Sequence, residues 1–284
     1  MSSLLSNIPQ WVIDAPAGEK KFRQAVHIIL HAIATNARLS KLLCMKGGIL
    51  MALHYESRRF TSDIDFSTPA AFTVEIEEEV VSLLSGSIEA ASYQFEYELD
   101  CRLQSYRIMP GRDKTYVTIY MSIGYASRGS REHDRLMRKQ STSIVSIDYS
   151  FMESIPHIEE VSVDGDGVLR VYALPTLMAE KFRALLQQPL RKRNRRQDIF
   201  DIHHLLVERA ELQSDTCKSA VLKALYEKCH DRDVPVDINS IDQKEVHDMA
   251  AQDYQTLATE VSGDLPDFER AFTAVRDYYV DLPW

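Results

Sequence analysis

Two aspartates separated by one residue carry the clearest chemical signal in the sequence. The motif Asp63-Ile64-Asp65-Phe66 ends a segment, 59–66, that leads into a predicted strand. Alternate residues of a strand share a face, so both aspartates point one way while Ile64 and Phe66 point into a core. Repulsion between the carboxylates is offset if a hard divalent ion lies between them, which favours metal-dependent phosphoryl or nucleotidyl transfer. A solvated edge strand is the alternative.

A glycine pair precedes the aspartates by a short stretch of chain, in Lys46-Gly47-Gly48. Consecutive glycines allow a sharp turn and can present backbone N–H groups at the start of the next helix, which suits an anionic phosphate. A helix C-cap followed by a turn explains the pair equally well on its own. The occurrence of both motifs close together favours the phosphate interpretation.

A lysine lies in the middle of the apolar face of a helix predicted over 175–188. A buried ammonium such as that of Lys181 is costly unless an anion pairs with it. The side chain therefore either extends to the surface or reaches carboxylates or nucleotide phosphates across a domain boundary. Asp198 and Asp201 follow one turn apart on a helix predicted over 197–210, where acids in the first turn also stabilise the helix dipole.

Hydrophobic periodicity divides the chain near residue 174 into an α/β domain, 1–174, and a helical domain, 175–284. Helical spacing predicts helices over 20–43, 49–55 and 73–85, and alternation between 93 and 172 predicts half-buried, antiparallel strands. The polar excursion 127–140 is predicted to be an exposed loop. The remaining predicted helices cover 215–230, 242–258 and 266–280.

Composition excludes several classes of protein. The 284 residues contain 42 acids and 33 bases, and the net charge of −9 argues against a surface that coats nucleic acid or anionic membrane as a whole. Four scattered cysteines without a CxxC pair suggest neither a zinc site nor disulfides, which fits a reducing cytoplasm. No leader features and no stretch long enough to span a bilayer are present, so we expect a cytoplasmic protein with no membrane partner.

Basic residues are nevertheless concentrated locally. The run 191–196 contains five cations in six positions, and it is either a solvated loop or a surface for an RNA backbone. The excursion 127–140 adds four arginines to the residues that could contact a polyanion. The residues in question are Arg191, Lys192, Arg193, Arg195 and Arg196 in the run, and Arg128, Arg131, Arg135 and Arg138 in the excursion.

Four segments together, in their order and spacing, resemble the AbiEii-type nucleotidyltransferases. These are the toxins of type IV toxin-antitoxin systems, and the mycobacterial MenT toxins are relatives. The resemblance covers about residues 20–206, and it is carried by Lys46–Gly48, Arg59–Phe66, Ala179–Leu186 and Asp198–Ile202. It implies an α+β fold with a polymerase-beta-like core, in which a C-terminal helical bundle completes the active site.

The resemblance also implies the site residues. Gly47, Gly48 and Lys46 would bind the triphosphate of an NTP, and Asp63 and Asp65 would bind Mg²⁺. A third carboxylate comes from a neighbouring strand in such cores, and Asp148 fits that place, with Tyr120 or Ser122 as the alternative occupants. Lys181 would neutralise the leaving group, Asp198 would orient Lys181 or bind the nucleotide, and Asp201 would contribute to nucleotide binding.

The function implied is transfer of a nucleoside monophosphate from an NTP to an RNA hydroxyl. The family's best-known members modify the acceptor end of tRNA, so tRNA is the expected acceptor, in a toxin of phage defence with a cognate antitoxin. Two alternatives stay open at this stage. One is transfer to a cationic small molecule of the aminoglycoside kind, and the other is a module that binds nucleotide or antitoxin without catalysis.

Overall fold

The computed structural model describes residues 8–284 and divides them into two compact units. The first unit contains residues up to 54, then 62–153 and 159–171, and the second contains 55–61, 154–158 and 172–284. Two short segments before residue 174, 55–61 and 154–158, group with the second unit, and the division into two domains near residue 174 stays a prediction. The first seven residues, on which the expectation about a leader partly rests, lie outside the described residues. Between residues 8 and 284, no helix combines the length and the apolar character needed to cross a membrane.

A seven-stranded mixed sheet forms the centre of the first unit, in the order β3-β4-β5-β2-β1-β7-β6. Strands β3, β4 and β5 pair antiparallel as predicted. Strand β2 pairs antiparallel with β1 and parallel with β5, and β1 runs parallel to β7. The strands are β1 (Cys44–Lys46), β2 (Asp63–Ser67), β3 (Leu99–Met109), β4 (Thr118–Ser127), β5 (Ile144–Ser150), β6 (Ile158–Val163) and β7 (Gly167–Tyr172), and the helices are α1 (Ile8–Ile13), α2 (Lys20–Thr35), α3 (Leu39–Leu42), α4 (Gly47–His54), α5 (Val74–Ala91) and α6 (Arg131–Met137).

The strands that carry the aspartates have one apolar and one polar face. Met45, Phe66, Tyr149 and Ile119 lie side by side across β1, β2, β5 and β4 and are fully buried. Helix α2 packs against β3, β4 and β5, and α5 packs against α2 and β3. Burial of each such side chain contributes about 1.5–3 kcal/mol. Because strand residues alternate, this apolar face leaves the aspartates on the opposite, polar face.

A polar cluster on α2 explains why residues 93–97 are not the strand that their alternation predicts. The Nε2 atom of His27 and the Nδ1 atom of His31 each lie 2.9 Å from the Asp164 carboxylate. The other ring nitrogens are hydrogen-bonded to the Tyr97 hydroxyl at 2.7 Å and to Gln94 Oε1 at 2.8 Å. Tyr97 and Gln94 thus hold this segment as a loop against α2.

Two other predictions in the first unit are corrected. The helix predicted over 20–43 ends at Thr35, because Asn36 adopts an extended conformation. The excursion 127–140 contains the helix α6 rather than only a loop: the Ser130 side chain caps its first turn by accepting from the His133 N–H at 3.1 Å, and Leu136 is buried beneath it.

Helices make up most of the second unit, which confirms the predicted α+β class with a helical C-terminal part. Helix α10 packs on α7, and α12 packs on α9. The centre of the Phe182 ring lies 6.2 Å from that of Tyr278 and 5.3 Å from that of Tyr279. The helix predicted over 242–258 ends at Ala251, because Asp253 is left-handed, with φ 60°. The helices are α7 (Leu174–Leu186), α8 (Gln188–Arg191), α9 (Arg196–Glu208), α10 (Asp215–His230), α11 (Lys244–Ala251) and α12 (Phe268–Val280), and short 3₁₀ helices cover Ala210–Gln213, Ser240–Asp242 and Tyr254–Thr259.

Candidate active site

One row of side chains crosses the polar face of the sheet and contains two of the three predicted carboxylates. Lys46 on β1 is paired with Asp65 on β2, and Asp65 is paired with Asp148 on β5. Directly paired residues project from the same face of a sheet, so the three side chains are neighbours. Asp63 lies one step along the same face, opposite Ser146. Strand β2 is flanked by β1 and β5, so the alternative of a solvated edge strand is wrong.

Only one of the three residues considered for the third carboxylate position lies on a strand paired with β2. Asp148 lies on the strand next to β2, whereas Tyr120 and Ser122 lie on β4, one strand further away. Asp148 is thus the side chain placed beside Asp65. Sequence alone could not decide this, because the parallel pairing joins segments about eighty residues apart.

The glycine pair begins a helix directly after a strand. Gly47 is the first residue of α4 and follows β1, so the alternative of a helix C-cap is wrong. Its φ is +74°, and a β-carbon placed on it would lie 2.0 Å from Oδ2 of Asp65. Gly47 is therefore required both by its left-handed conformation and by the close approach of the aspartate carboxylate. The backbone at the start of α4 contacts the same carboxylate that the metal hypothesis uses.

The electrostatics of the row show that negative charge accumulates there. Burial, together with the charges of Asp65 and Asp63, raises the pKa of Asp148 to about 7, against the opposing effect of Lys46 and Arg107. Lys46 is itself buried and donates a hydrogen bond to Glu153, which is also buried. The lysine at the end of the row is therefore held in place by an acid from its own unit.

Carboxylate oxygens of this kind are the donors that Mg²⁺ prefers. Two of them, on Asp65 and Asp148, come from directly paired residues, and a cation between them would offset both the burial of the Asp148 charge and its repulsion by Asp65 and Asp63. The donor set therefore fits a divalent ion. As the side chains stand, no three His, Cys, Asp or Glu residues within 8–284 converge closely enough to hold a metal.

The remaining predicted residues form a buried charged cluster in the second unit. Lys181 donates to Asp201 at 2.6 Å and to Asp198 at 3.1 Å, and all three side chains are buried. The lysine therefore does not extend to the surface, and both aspartates pair with it, although Asp198 also lies in the first turn of α9, where an acid stabilises the helix dipole. Burial lowers the pKa of Lys181, but the two aspartates outweigh it and the pKa lies above its usual value.

An arginine from the motif before the aspartates completes this cluster. Arg59 donates to both oxygens of Asp201, at 2.9 and 3.0 Å. Burial raises the pKa of Asp201, but Lys181 and Arg59 more than reverse this and hold the pKa well below its usual range. The backbone of the same segment is fixed as well, since Phe60 N–H donates to Glu260 at 2.7 Å. The sequence signal for Arg59 was its place in the family motif, but nothing in the spacing identified Asp201 as its partner.

The predicted basic residues are placed in different environments. Arg195 donates to Asp198 at 2.7 Å and Arg196 donates to Glu260 at 2.8 Å, so both side chains form ion pairs within the second unit. Arg128 lies over the Tyr93 ring at 4.5 Å and donates to backbone carbonyls, so its role is structural. The exposed members of the set are Arg191, Lys192 and Arg193, together with Arg131, Arg135 and Arg138.

Alternate carboxylates on a central strand, a third carboxylate beside them and a glycine-started helix form the arrangement that the resemblance to nucleotidyltransferases implies. The family described as "Nucleotidyl transferase AbiEii toxin, Type IV TA system" matches residues 28–276. The chain belongs to this family and is a nucleotidyltransferase toxin of type IV toxin-antitoxin systems. Membership implies an NTP as substrate and an antitoxin as partner.

Solved structures similar to this chain include two bacterial proteins. JHP933 from Helicobacter pylori is 15% identical, covers 90% of each chain and has a TM-score of 0.49. MenT4, a nucleotidyltransferase toxin from Mycobacterium tuberculosis, is 14% identical, covers 99% of each chain and has a TM-score of 0.48. A comparison with curated proteins gives no match.

Proposed function

We propose that the protein transfers a nucleoside monophosphate from an NTP to a hydroxyl group of RNA, with tRNA as the expected acceptor. The acceptor oxygen bonds to the α-phosphorus, the bond from that phosphorus to the bridging oxygen breaks, and pyrophosphate leaves. The register that sets Asp65 between Lys46 and Asp148, with Gly47 against the Asp65 carboxylate, carries the proposal.

The proposed site residues of the first unit bind the metal, the phosphates and the attacking hydroxyl. Asp63, Asp65 and Asp148 would hold Mg²⁺, which when bound withdraws charge from the reacting phosphate and stabilises the leaving pyrophosphate. Gly47 and Gly48 offer N–H groups at the start of α4 to the outer phosphates. Asp148 also helps to activate the attacking hydroxyl, for which its place beside Asp65 is suited.

The second unit contributes Lys181 in the same proposal. Its ammonium would neutralise charge on the leaving group, and Asp198 would orient it, a role that the 3.1 Å hydrogen bond supports. Asp201, proposed from the resemblance to help bind the nucleotide, has both oxygens engaged by Lys181 and Arg59. Its contacts support an indirect contribution, in which it fixes the lysine that acts on the nucleotide.

The acceptor is proposed to bind through the exposed basic residues. Arg191, Lys192 and Arg193 leave α8 as an exposed cationic run, which suits a phosphate backbone. Acceptor binding should therefore weaken steeply as salt is raised. Binding that does not respond to ionic strength would argue against this surface.

Purified protein with Mg²⁺, each α-labelled NTP in turn and total cellular RNA tests the reaction, with Asp63→Ala as the control variant. Asp63→Ala should abolish transfer, because it removes a proposed metal ligand. It should not lower the melting temperature, because Asp63 is exposed and repels its neighbours. Label in a tRNA-sized band that the control lacks supports the proposal. Label transferred instead to an aminoglycoside, or NTP binding without turnover, supports one of the two alternatives.

The proposed biological role is that of a toxin acting in phage defence. Expression of the wild type should slow growth and reduce phage yield, whereas Asp63→Ala should do neither. Equal phage yield with both proteins would contradict the defence role, while growth inhibition by the wild type alone would still support toxicity.

A further inference from the structure

The row that contains Asp65 and Asp148 continues over two more strands on the same face. Tyr120 on β4 is paired with Asp148, and Arg107 on β3 is paired with Tyr120. The guanidinium carbon of Arg107 lies 5.3 Å from the centre of the Tyr120 ring, which is a cation–π contact. Tyr120 is half-buried, and Arg107 is exposed on the terminal strand of the sheet. The chemistry proposed above uses neither side chain.

The charge of Arg107 is available to a ligand. In the part of the chain that the structure describes, its guanidinium forms no salt bridge. Other arginines of the same hairpin do: Arg102 pairs with Asp100 at 3.0 Å and Arg112 with Glu77 at 2.6 Å. Among these arginines of the hairpin, the one without a salt bridge is thus the one in the row of carboxylates.

An aromatic ring beside a guanidinium is the combination that binds single-stranded nucleic acid. Bases stack on the aromatic face, and the guanidinium attracts the phosphate. Neighbouring strands lie about 4.8 Å apart, so the backbones at Asp148 and Arg107 are separated by about 10 Å. One nucleotide can span that distance, with its hydroxyl end at the carboxylates and its phosphate at the arginine.

The order of the row distinguishes the two substrates. Lys46 and the glycine-started helix α4 lie on one side of Asp65, where the triphosphate is proposed to bind. Tyr120 and Arg107 lie on the other side, beyond Asp148. A cationic aminoglycoside would be repelled by Arg107, whereas a nucleic acid phosphate would be attracted to it.

We propose that Tyr120 and Arg107 form the acceptor subsite, in which Tyr120 stacks on the terminal base of a single-stranded RNA 3′ end and Arg107 binds its phosphate. This inference rests on the proposed nucleotidyl transfer and names where its acceptor binds. It is a site for RNA rather than for the NTP.

Direct binding tests the subsite without relying on turnover. The probe is a short, fluorescently labelled single-stranded RNA with a free 3′ hydroxyl, titrated by anisotropy against the full chain. Tyr120→Ala and Arg107→Glu should each weaken binding about tenfold or more, and Tyr120→Phe should leave it within about twofold, because the ring still stacks. Arg107→Glu should also reduce the slope of log Kd against log salt by about one.

Two control variants match these changes. Tyr106→Ala removes a tyrosine from the neighbouring position of β3, where the side chain points to the opposite face. Lys223→Glu makes the same charge reversal as Arg107→Glu at an exposed position of α10. Neither control should weaken binding of the RNA.

Kinetics then separate the two substrates. Tyr120→Ala and Arg107→Glu should raise KM for RNA about tenfold or more and leave KM for the NTP unchanged. A rise in KM for the NTP alone, or acceptor binding equal to that of the wild type, would overturn the subsite. If the wild type binds the probe through Tyr120 but transfers no label to RNA, the subsite stands and the proposed reaction fails.

Discussion

Gly47→Ala tests whether the glycine-started helix positions the catalytic carboxylate. The new β-carbon would lie 2.0 Å from Asp65 Oδ2 and 2.8 Å from its carboxyl carbon, much closer than any van der Waals contact. The φ of +74° adds a left-handed conformation that alanine adopts with strain. The substitution must therefore either displace the Asp65 side chain or shift the start of α4.

The cost can be estimated from these two terms. Left-handed backbone costs about 1–2 kcal/mol for a residue with a β-carbon, and an aspartate pushed off its rotamer costs about 0.5–1.5 kcal/mol more. We expect Gly47→Ala to lower the free energy of unfolding by about 2–3 kcal/mol, measured by urea denaturation. Misplacing a reacting group by about 1 Å lowers the reaction rate on the order of 100-fold, so the rate of nucleotidyl transfer should fall by at least that factor.

Two controls separate backbone strain from the clash. Gly129 has φ +75° but no atom within 4 Å of its ideal β-carbon, so Gly129→Ala should show the strain alone and keep full activity. In an Asp65→Ala background, Gly47→Ala should cost less than it does in the wild type but somewhat more than Gly129→Ala, because the β-carbon of residue 65 remains 3.0 Å from the new β-carbon. The reasoning is refuted if Gly47→Ala costs as little as Gly129→Ala in the wild type and leaves transfer intact.

Three further outcomes follow from buried charges. Lys181→Met leaves Asp198 and Asp201 with one cation fewer, so it should lower the free energy of unfolding by about 3–5 kcal/mol. A loss below about 1 kcal/mol in urea denaturation would show that the cluster is not buried as described. Lys181→Met combined with Asp201→Asn should cost less than the sum of the single changes, because the pair is removed together, and a double-mutant cycle that is additive would contradict the contact. Burial raises the pKa of Asp164, but His27 and the neighbouring His31 outweigh it and hold the pKa below its usual value. The ionised Asp164 therefore stabilises the folded state above about pH 4, and this contribution is lost as the pH falls through the lower pKa of the folded state. Asp164→Asn should therefore flatten the fall in stability below about pH 4, and an unchanged pH profile would contradict the hydrogen bonds.

Local patterns predicted what depends on neighbouring residues in the chain. The alternation of Asp63 and Asp65 indicated a shared face, and the apolar spacing around Lys181 indicated that a charge would be buried. Both follow from the periods of strands and helices, which are visible in a short window of sequence. The family resemblance added the order of the motifs, and the match to residues 28–276 confirmed the family.

Contacts between distant segments could not be predicted in the same way. The partners of Lys181 are Asp198 and Asp201, which the sequence singled out separately but did not connect with it. The strand β1 is three residues long, too short for any period to show, although it sets Lys46 beside Asp65. The loop at 93–97 alternates like a strand, but its polar contacts to His27 and His31 decide its conformation.

The register that brings Asp148 beside Asp65 is determined by the apolar face of the sheet. Ile147 and Tyr149 flank Asp148 and are fully buried, and the Tyr149 hydroxyl donates to the Leu42 carbonyl at 3.2 Å. A slip of one residue between β5 and β2 would turn both side chains to the polar face and the Asp148 carboxylate into the core. Exposing each apolar side chain costs about 1.5–3 kcal/mol, and burying the charge costs more. Residues with no part in the chemistry therefore fix the arrangement of the carboxylates, which is why the site can tolerate the repulsion that its own function requires.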